Sequence, residues 1–392
     1  MTELSAPCHN WATLNAAITS GADAVYFGVK KYNMRMNAEN FSTAQLAKIT
    51  KHCHSNKVKA YLALNTIIYE NEMRNCEEII KISKKAGIDA VIIHDLGLIP
   101  LLKKYEITFH ISTQASVSNS NAAQIYRKLG AKRIILAREC SLKQMREIIR
   151  KNKSIEFEAF IHGAMCVSIS GRCLLSQALH QKSANRGECM QPCRREWTVT
   201  NETGKLVYDG KRFLNAKDLC TITILPEILK TGIRALKIEG RMKDANYVST
   251  VVKVYREALD NYNKKRVPEW LERLKSVYSR GFSTGFYKEN PGQESINYEA
   301  DNNASPTKKE QIGIIKNYYP KSKAAEILLL NSGIREGDEI IIEGSTTFLK
   351  QCAESLQVNH ENVKQAKKGS RVALKVQEKV RKNDNVYKLK KV

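Results

Sequence analysis

No run of eighteen apolar residues occurs anywhere in this 392-residue chain, and candidates such as residues 325–330 are short and broken by Glu326. A membrane-spanning helix is therefore not expected, because crossing the hydrocarbon core takes about 20 apolar residues in succession. The first residues lack the charged, apolar and small-residue layout of a secretory signal. That absence points to a cytoplasmic protein, in a reducing compartment where disulfides are disfavoured. Two hydrolytic signatures are missing as well: there is no His-Glu-x-x-His and no Gly-x-Ser-x-Gly, the patterns of a zinc-bound water and of a nucleophile elbow. Internal repeats and low-complexity tracts are absent too. Carboxylates are few beside cations, 40 Asp and Glu against 64 Lys and Arg, for a formal charge of +24.

That charge is not confined to a tail. Residues 301–392 hold 18 Lys and Arg against 11 Asp and Glu, so +17 of the total belongs to the first 300 residues. A surface of this sign attracts polyanions, RNA or DNA first and an anionic membrane face next. A Lys- and Asn-rich composition without any nucleic-acid role gives the same number.

Cysteine is the residue whose placement is most informative. Of ten cysteines, Cys166, Cys173, Cys189 and Cys193 fall within 28 residues, and Cys220 follows. Thiolates are soft ligands that keep their charge beside iron or zinc, and four of them complete a tetrahedral or cluster shell. Zinc modules bring their ligands as two close pairs, whereas these cysteines are separated by six, fifteen and three residues, which weakens a zinc ribbon. The alternative is a set of buried core thiols, since free cysteine is among the most buried residue types.

Short apolar strands are expected at residues 3–6, 24–27, 58–64, 90–93, 108–112, 133–136, 156–160 and 235–238. Helical spacing occupies residues 43–54, 71–86, 121–129 and 142–151 between them, and Gly-Ala-Asp or Gly-Ile-Asp often leads into the next strand. Alternation of this kind implies a parallel sheet covered on both faces. A count of eight favours closure into a (β/α)8 TIM-like barrel over residues 1–290, with an open doubly wound sheet as the runner-up. A barrel would gather at one mouth the polar residues that follow each strand: Asn65, Thr66, His94, Asp95, Thr113, Gln114, Arg138, Glu139, His162, Glu239 and Arg241. The cysteine-rich insertion, residues 162–220, would begin there. Residues 291–308 read as a linker, and 309–392 as a small all-β barrel or sandwich, with strands at 311–317, 324–330, 339–343, 371–376 and 385–389.

Several runs together resemble the U32 group of proteins, described as collagenase-like peptidases. They include Gly21-Ala-Asp-Ala-Val-Tyr-Phe-Gly28, Ser112-Thr-Gln-Ala-Ser116, His162-Gly-Ala-Met-Cys166, Asn185-Arg-Gly-Glu-Cys189, Asp218-Leu-Cys220, Lys237-Ile-Glu-Gly-Arg-Met-Lys243 and Arg280-Gly-Phe-Ser-Thr-Gly-Phe-Tyr287. The resemblance covers nearly the whole chain and has two functional implications. Some members are described as proteases; others are oxygen-independent hydroxylation factors with a four-cysteine [4Fe-4S] cluster. The latter act on tRNA, giving 5-hydroxyuridine at the wobble position with prephenate as oxygen donor, on ribosomal RNA, or on ubiquinone precursors. By resemblance the cluster ligands are Cys166, Cys173, Cys189 and Cys220, with Cys193 as the alternative fourth. Cys8 departs from the group, which usually has alanine there.

A hydrolase needs an activated nucleophile or a metal-bound water, and the sequence shows neither in recognisable form. An iron–sulfur RNA hydroxylase accounts for the cysteines and the charge together; a U32-type peptidase is the alternative, and a non-catalytic RNA-binding protein with a structural cluster the third reading. In the hydroxylase reading Arg172, Arg194, Arg195 and Arg241 neutralise phosphate or the carboxylates of a small co-substrate. Asn65 and Gln114 bind substrate, and His162 and Glu239 transfer protons.

Overall fold

The computed structural model describes residues 2–298 and 303–391; residues 299–302 of the expected linker lie outside them. Eight parallel strands close on themselves: Glu3–Pro7, Ala24–Gly28, Lys59–Leu64, Ala90–Ile93, Phe109–Ile111, Arg133–Ile135, Glu156–Gly163 and Ala235–Ile238. Each pairs with the next, and the eighth pairs also with the first. All eight expected strands are present, and closure excludes the open sheet. Ala24–Gly28 and Ala90–Ile93 are buried along their whole length, as strands covered on both faces must be.

The recurring Gly-x-Asp turns have a physical reason. Helix Met73–Ala86 ends on Gly87 at φ 75°, a left-handed cap. Two residues on, Asp89 Oδ2 accepts from the backbone N–H of Ala60 at 2.7 Å. Asp23 repeats the device, accepting from Leu4 N at 2.8 Å after Gly21 at φ 94°. The glycine stops the helix, and the carboxylate sews the start of one strand to its neighbour.

Inside the barrel the apolar core is interrupted by a layer of charge. Arg133 Nη1 bonds Glu3 and Glu158, its Nη2 bonds Glu156 at 2.8 Å, and Lys237 Nζ reaches Glu158 Oε1 at 2.9 Å. Glu158 is fully buried. Burial alone would raise its pKa, but Lys237 and Arg133 bring it below the ordinary carboxylate value.

The insertion folds in pieces that sequence reading does not separate. The seventh strand runs three residues beyond the expected end, to Gly163, and the strand Asp218–Cys220 pairs antiparallel with that extension. A two-stranded hairpin, Trp197–Thr200 with Leu206–Lys211, stands between the cysteines and that strand. From Thr307 onward the chain is antiparallel β, with one sheet of eight strands and a separate pair around a second core that includes Ile312, Ile327, Ile340 and Val372. Phe348 and Ile341 join the barrel's own core instead, and Asn15 Nδ2 donates to Thr346 O at 2.7 Å. No helix among the described residues is long and apolar enough to cross a membrane.

Removing one member of the buried layer leaves its partners short of counter-charge. Glu158→Ala is expected to cost about 3–5 kcal/mol, because it removes the buried carboxylate that Lys237 pairs with and one of the three that hold Arg133. Urea unfolding checks this; a loss below ~1 kcal/mol would contradict an ionised layer.

Candidate functional site

The carboxyl ends of the barrel strands open into a cavity of about 680 Å³, within the ~300–1,000 Å³ range of small-ligand sites. Cys166, Cys173, Cys189 and Cys193 all line it. A smaller recess continues down the barrel axis between Asn65, Gln114, Phe160 and Lys237, and shares Arg35, Arg138 and Glu239 with the larger cavity.

Several contacts hold the cysteine loops in place. Cys173 N donates to Asn185 Oδ1 at 2.9 Å, and Met190 N to Ser176 Oγ at 3.0 Å. Gln191, left-handed at φ 55°, directs its N–H to Cys189 Sγ at 3.4 Å, a kind of contact that stabilises thiolate ligands. Gly187 packs on the loop after the second strand so closely that a Cβ there would lie 2.1 Å from Asn33 O. Arg186 grips Glu72 from the other side. Burial pushes the Cys189 and Cys193 thiols up, and the neighbouring cysteines act in the same direction. Held as thiolates, the four sulfurs would repel one another unless a positive centre stood between them.

The donor set fits such a centre. Four soft thiols line one cavity, the donor type an iron–sulfur cluster takes, while among the described residues no three His, Cys, Asp or Glu side chains are grouped so as to hold a single metal ion. Gln114 Oε1, Arg138 Nε and Arg280 Nε, all in the lining, are buried without a hydrogen-bond partner. Such atoms are costly unless a ligand engages them.

The structure separates the expected site residues. Cys220 does not line the cavity. It sits in the added strand opposite His162, is 4% exposed, and its sulfur accepts from Tyr255 Oη at 3.9 Å; burial raises its pKa to about 11. Cys193 stands with the other three instead. His162 is also withdrawn. A register irregularity at Lys237/Ile238 re-aims the strand, and the imidazole packs among Tyr247, Tyr255 and Phe282. Burial lowers its pKa to about 3, so it is neutral and sealed rather than a proton carrier at the mouth.

Glu239 does reach the cavity, but as a paired carboxylate. Arg35 lies 3.2 Å and Arg138 3.6 Å away. Burial would raise its pKa, yet Arg35, Arg138, Arg241 and Lys237 lower it, which makes it a poor base. Arg241 is buried and lines the inner recess; its Nη2 donates to Asn33 and Asn40, at 2.6 and 2.7 Å, which holds the loop that carries Arg35, while its Nε has no hydrogen-bond partner among the described residues. Arg194 lines the cavity with its terminal nitrogens committed to Asn215 and to the carbonyls of Ala216 and Met165. Arg172 and Arg195 are exposed and outside the lining. Asn65 bridges Met34 N and Ser112 Oγ in the inner recess. Gln114 faces the cavity with a free acceptor, so close to Gly171 that a Cβ there would meet it at 2.4 Å.

Three barrel cations in the lining, Arg35, Arg280 and Lys243, are not among the expected site residues. Arg280 pairs with buried Asp218 at 3.0 Å. Lys243 sits over the Tyr278 ring, 2.9 Å from its centroid, and makes no ion pair among the described residues. Burial brings its pKa down to about 7. Both residues lie in runs that carried the resemblance, which was the available signal; Arg35 had none. Hydrolytic machinery is not assembled: among the described residues no cavity serine or cysteine hydrogen-bonds an imidazole, and Ser168 Oγ contacts the carbonyls of Ile169 and Arg172.

Comparison with known proteins follows the same two lines. The sequence pattern that defines peptidase family U32 matches residues 9–297. A protein of Methanocaldococcus jannaschii named as an uncharacterized protease is 43% identical over 100% of this chain and 98% of its own. A protein of Porphyromonas gingivalis named collagenase is 35% identical over 99% of this chain and 98% of its own. The tRNA hydroxylation protein P1 of Bacillus subtilis is 34% identical over 86% of this chain and 82% of its own.

The Lys243 amine gives a pH test. Its folded pKa of about 7 lies below the ordinary 10.5, so between those values the unfolded chain binds more protons and stability rises with pH. Lys243→Met should therefore melt above wild type at pH 7 and lose that advantage by pH ~10. An equal gap at both pH values would contradict a neutral buried amine.

Proposed function

The chain belongs to the peptidase U32 family, and from that premise we propose that it is an iron–sulfur-dependent, oxygen-independent RNA hydroxylase. Its favoured substrate is tRNA, with wobble uridine converted to 5-hydroxyuridine and prephenate as oxygen donor; ribosomal RNA is the alternative. The observation that carries the reading is the gathering of four thiols in one cation-lined cavity at the barrel mouth. The hydroxylation named for the Bacillus relative supports it.

Cys166, Cys173, Cys189 and Cys193 would hold a [4Fe-4S] cluster, which when bound supplies electron-transfer chemistry at the mouth. The other roles belong to the protein. Gln114 Oε1 accepts from an N–H on the edge of the base and orients the ring. Arg280, Arg138 and Arg35 receive the negative charge of a small carboxylate co-substrate or of the phosphate, Arg35 and Arg138 kept in place by Glu239. Exchanging the ring C–H for C–OH against the donor's C–OH for C–H takes two electrons from the ring to the donor carbon and moves one proton off the ring, and Lys243 Nζ, partly neutral near pH 7, is the group in the cavity able to take that proton. His162 is too deeply enclosed for that task.

The protease and collagenase names of two relatives give the competing reading. It has no nucleophile paired with a base in this cavity, whereas hydroxylation uses the groups that are there. Mass spectrometry of nucleosides from tRNA and rRNA of a deletion strain tests the choice. A hydroxylated pyrimidine should disappear, return with the wild-type chain, and stay at least ~10-fold depleted with Cys173→Ser, a barrier change of about 1.4 kcal/mol or more. Unchanged nucleosides, or full rescue by an iron-free variant, would reject the proposal.

A further inference from the structure

The cavity is not bounded by the barrel alone. Thr307, Lys308 and Lys309, at the start of the first C-terminal strand Thr307–Tyr319, line it together with Leu389 of the last strand Asn385–Lys391. This strand is bolted across the mouth. Ser305 Oγ and Thr307 Oγ1 both donate to Ser276 O, at 3.0 and 2.6 Å. Lys309 Nζ lies 2.6 Å from Asp244 and 2.8 Å from Glu343. Asp244 also caps helix Ala245–Asp260 by accepting from Tyr247 N, so a single carboxylate joins the barrel to the β region.

Lys308 behaves differently from Lys309. It is exposed, and its register partner across the ladder is Lys390, also exposed. Directly opposed residues share one face of the sheet, and like charges there repel. Neither amine has an ion-pair or hydrogen-bond partner among the described residues. Two residues along the same face, Glu310 stands opposite Lys388, whose amine lies 3.4 Å from Asp338. Of the unbalanced pair, Lys308 lines the cavity, and Lys390 is the chain neighbour of Leu389, which also lines it. The rim also carries apolar side chains: Val167, Ile169 and Met242 line the cavity and are 44%, 46% and 47% exposed.

We propose that the Lys308–Lys390 pair is a phosphate-contact strip for the RNA strand flanking the nucleotide in the cavity, so that the C-terminal β region is part of the substrate site. The inference rests on the RNA-hydroxylation reading. A cavity of about 680 Å³ admits a nucleotide but not the folded RNA around it, and a base taken out of its stack brings its neighbours to the rim. Exposed apolar side chains of the rim receive bases while the ammonium groups receive backbone, the division of roles found in single-strand binding surfaces. An acidic polypeptide would satisfy the lysines and leave the apolar side chains without a reason.

The test is binding of bulk unmodified tRNA to the full chain between about 50 and 200 mM KCl. Lys308→Ser/Lys390→Ser is compared with wild type and with Lys308→Arg/Lys390→Arg. The serine variant should bind at least ~10-fold more weakly at the low-salt end, with a log–log salt slope shallower by about 1.4–1.8. The arginine variant should match wild type, and iron content and melting temperature should be the same in all three. If wild type binds tRNA and the serine variant matches it in affinity and slope, the strip is refuted while the hydroxylase reading stands. If wild type binds neither tRNA nor rRNA fragments, both fall; binding of poly-glutamate instead would assign the strip to an acidic protein partner and overturn the proposal.

Discussion

One buried side chain ties the candidate site together. The guanidinium of Arg194 donates to Met165 O on one side and to Ala216 O and Asn215 Oδ1 on the other. Those residues mark the entrance and exit of the segment that carries all four cavity cysteines. Closing a loop of that length costs entropy that grows only slowly with length, and charge-assisted bonds of about 1.5–3 kcal/mol each offset it. Arg280 works beside it, joining Asp218 at the exit of the insertion to the cysteine loop through Gln191 Oε1 at 3.5 Å. Without this staple the thiols would sit on a mobile flap; with it they are part of the barrel mouth.

The electrostatics of the mouth follow from a shortage of carboxylates. Glu239 is shared between Arg35 and Arg138, and Asp244 is spent on Lys309 and a helix cap. The remaining cationic groups face four thiols and whatever anion enters. Buried cations without full compensation are unfavourable in the free protein, and their cost is recovered when a ligand supplies the missing charge. Lys243 shows the other way out, giving up its proton near neutrality. A site built this way stabilises anions and retains one weak base, a combination suited to hydroxylating a phosphate-bearing substrate.

The barrel was legible because its signals are local and repeated: eight short strands, helical spacing between them, and Gly-x-Asp turns whose aspartates stitch neighbouring strands. The crowding of cysteines was legible for the same reason. Which of Cys193 and Cys220 lines the cavity was not, because that is set by a three-residue strand at Asp218–Cys220 that pairs with an unexpected extension of the seventh strand. His162 was misplaced by the same extension, since the register irregularity at Lys237/Ile238 that re-aims it has no sequence signature. Arg194 and Arg241 carry the right chemistry for anions, but tertiary contacts engage both terminal nitrogens of Arg194 and the Nη2 of Arg241. Lys308 lay in what reads as linker, and only the docking of the β region brings it to the cavity.

The central claim is that Cys166, Cys173, Cys189 and Cys193, and not Cys220, hold a cluster. Iron and acid-labile sulfide in anaerobically purified Cys193→Ser and Cys220→Ser proteins test it most directly. The account predicts about four iron and four sulfide per chain in Cys220→Ser, as in wild type, and loss of most of both in Cys193→Ser. Full iron in Cys193→Ser with depletion in Cys220→Ser would contradict it.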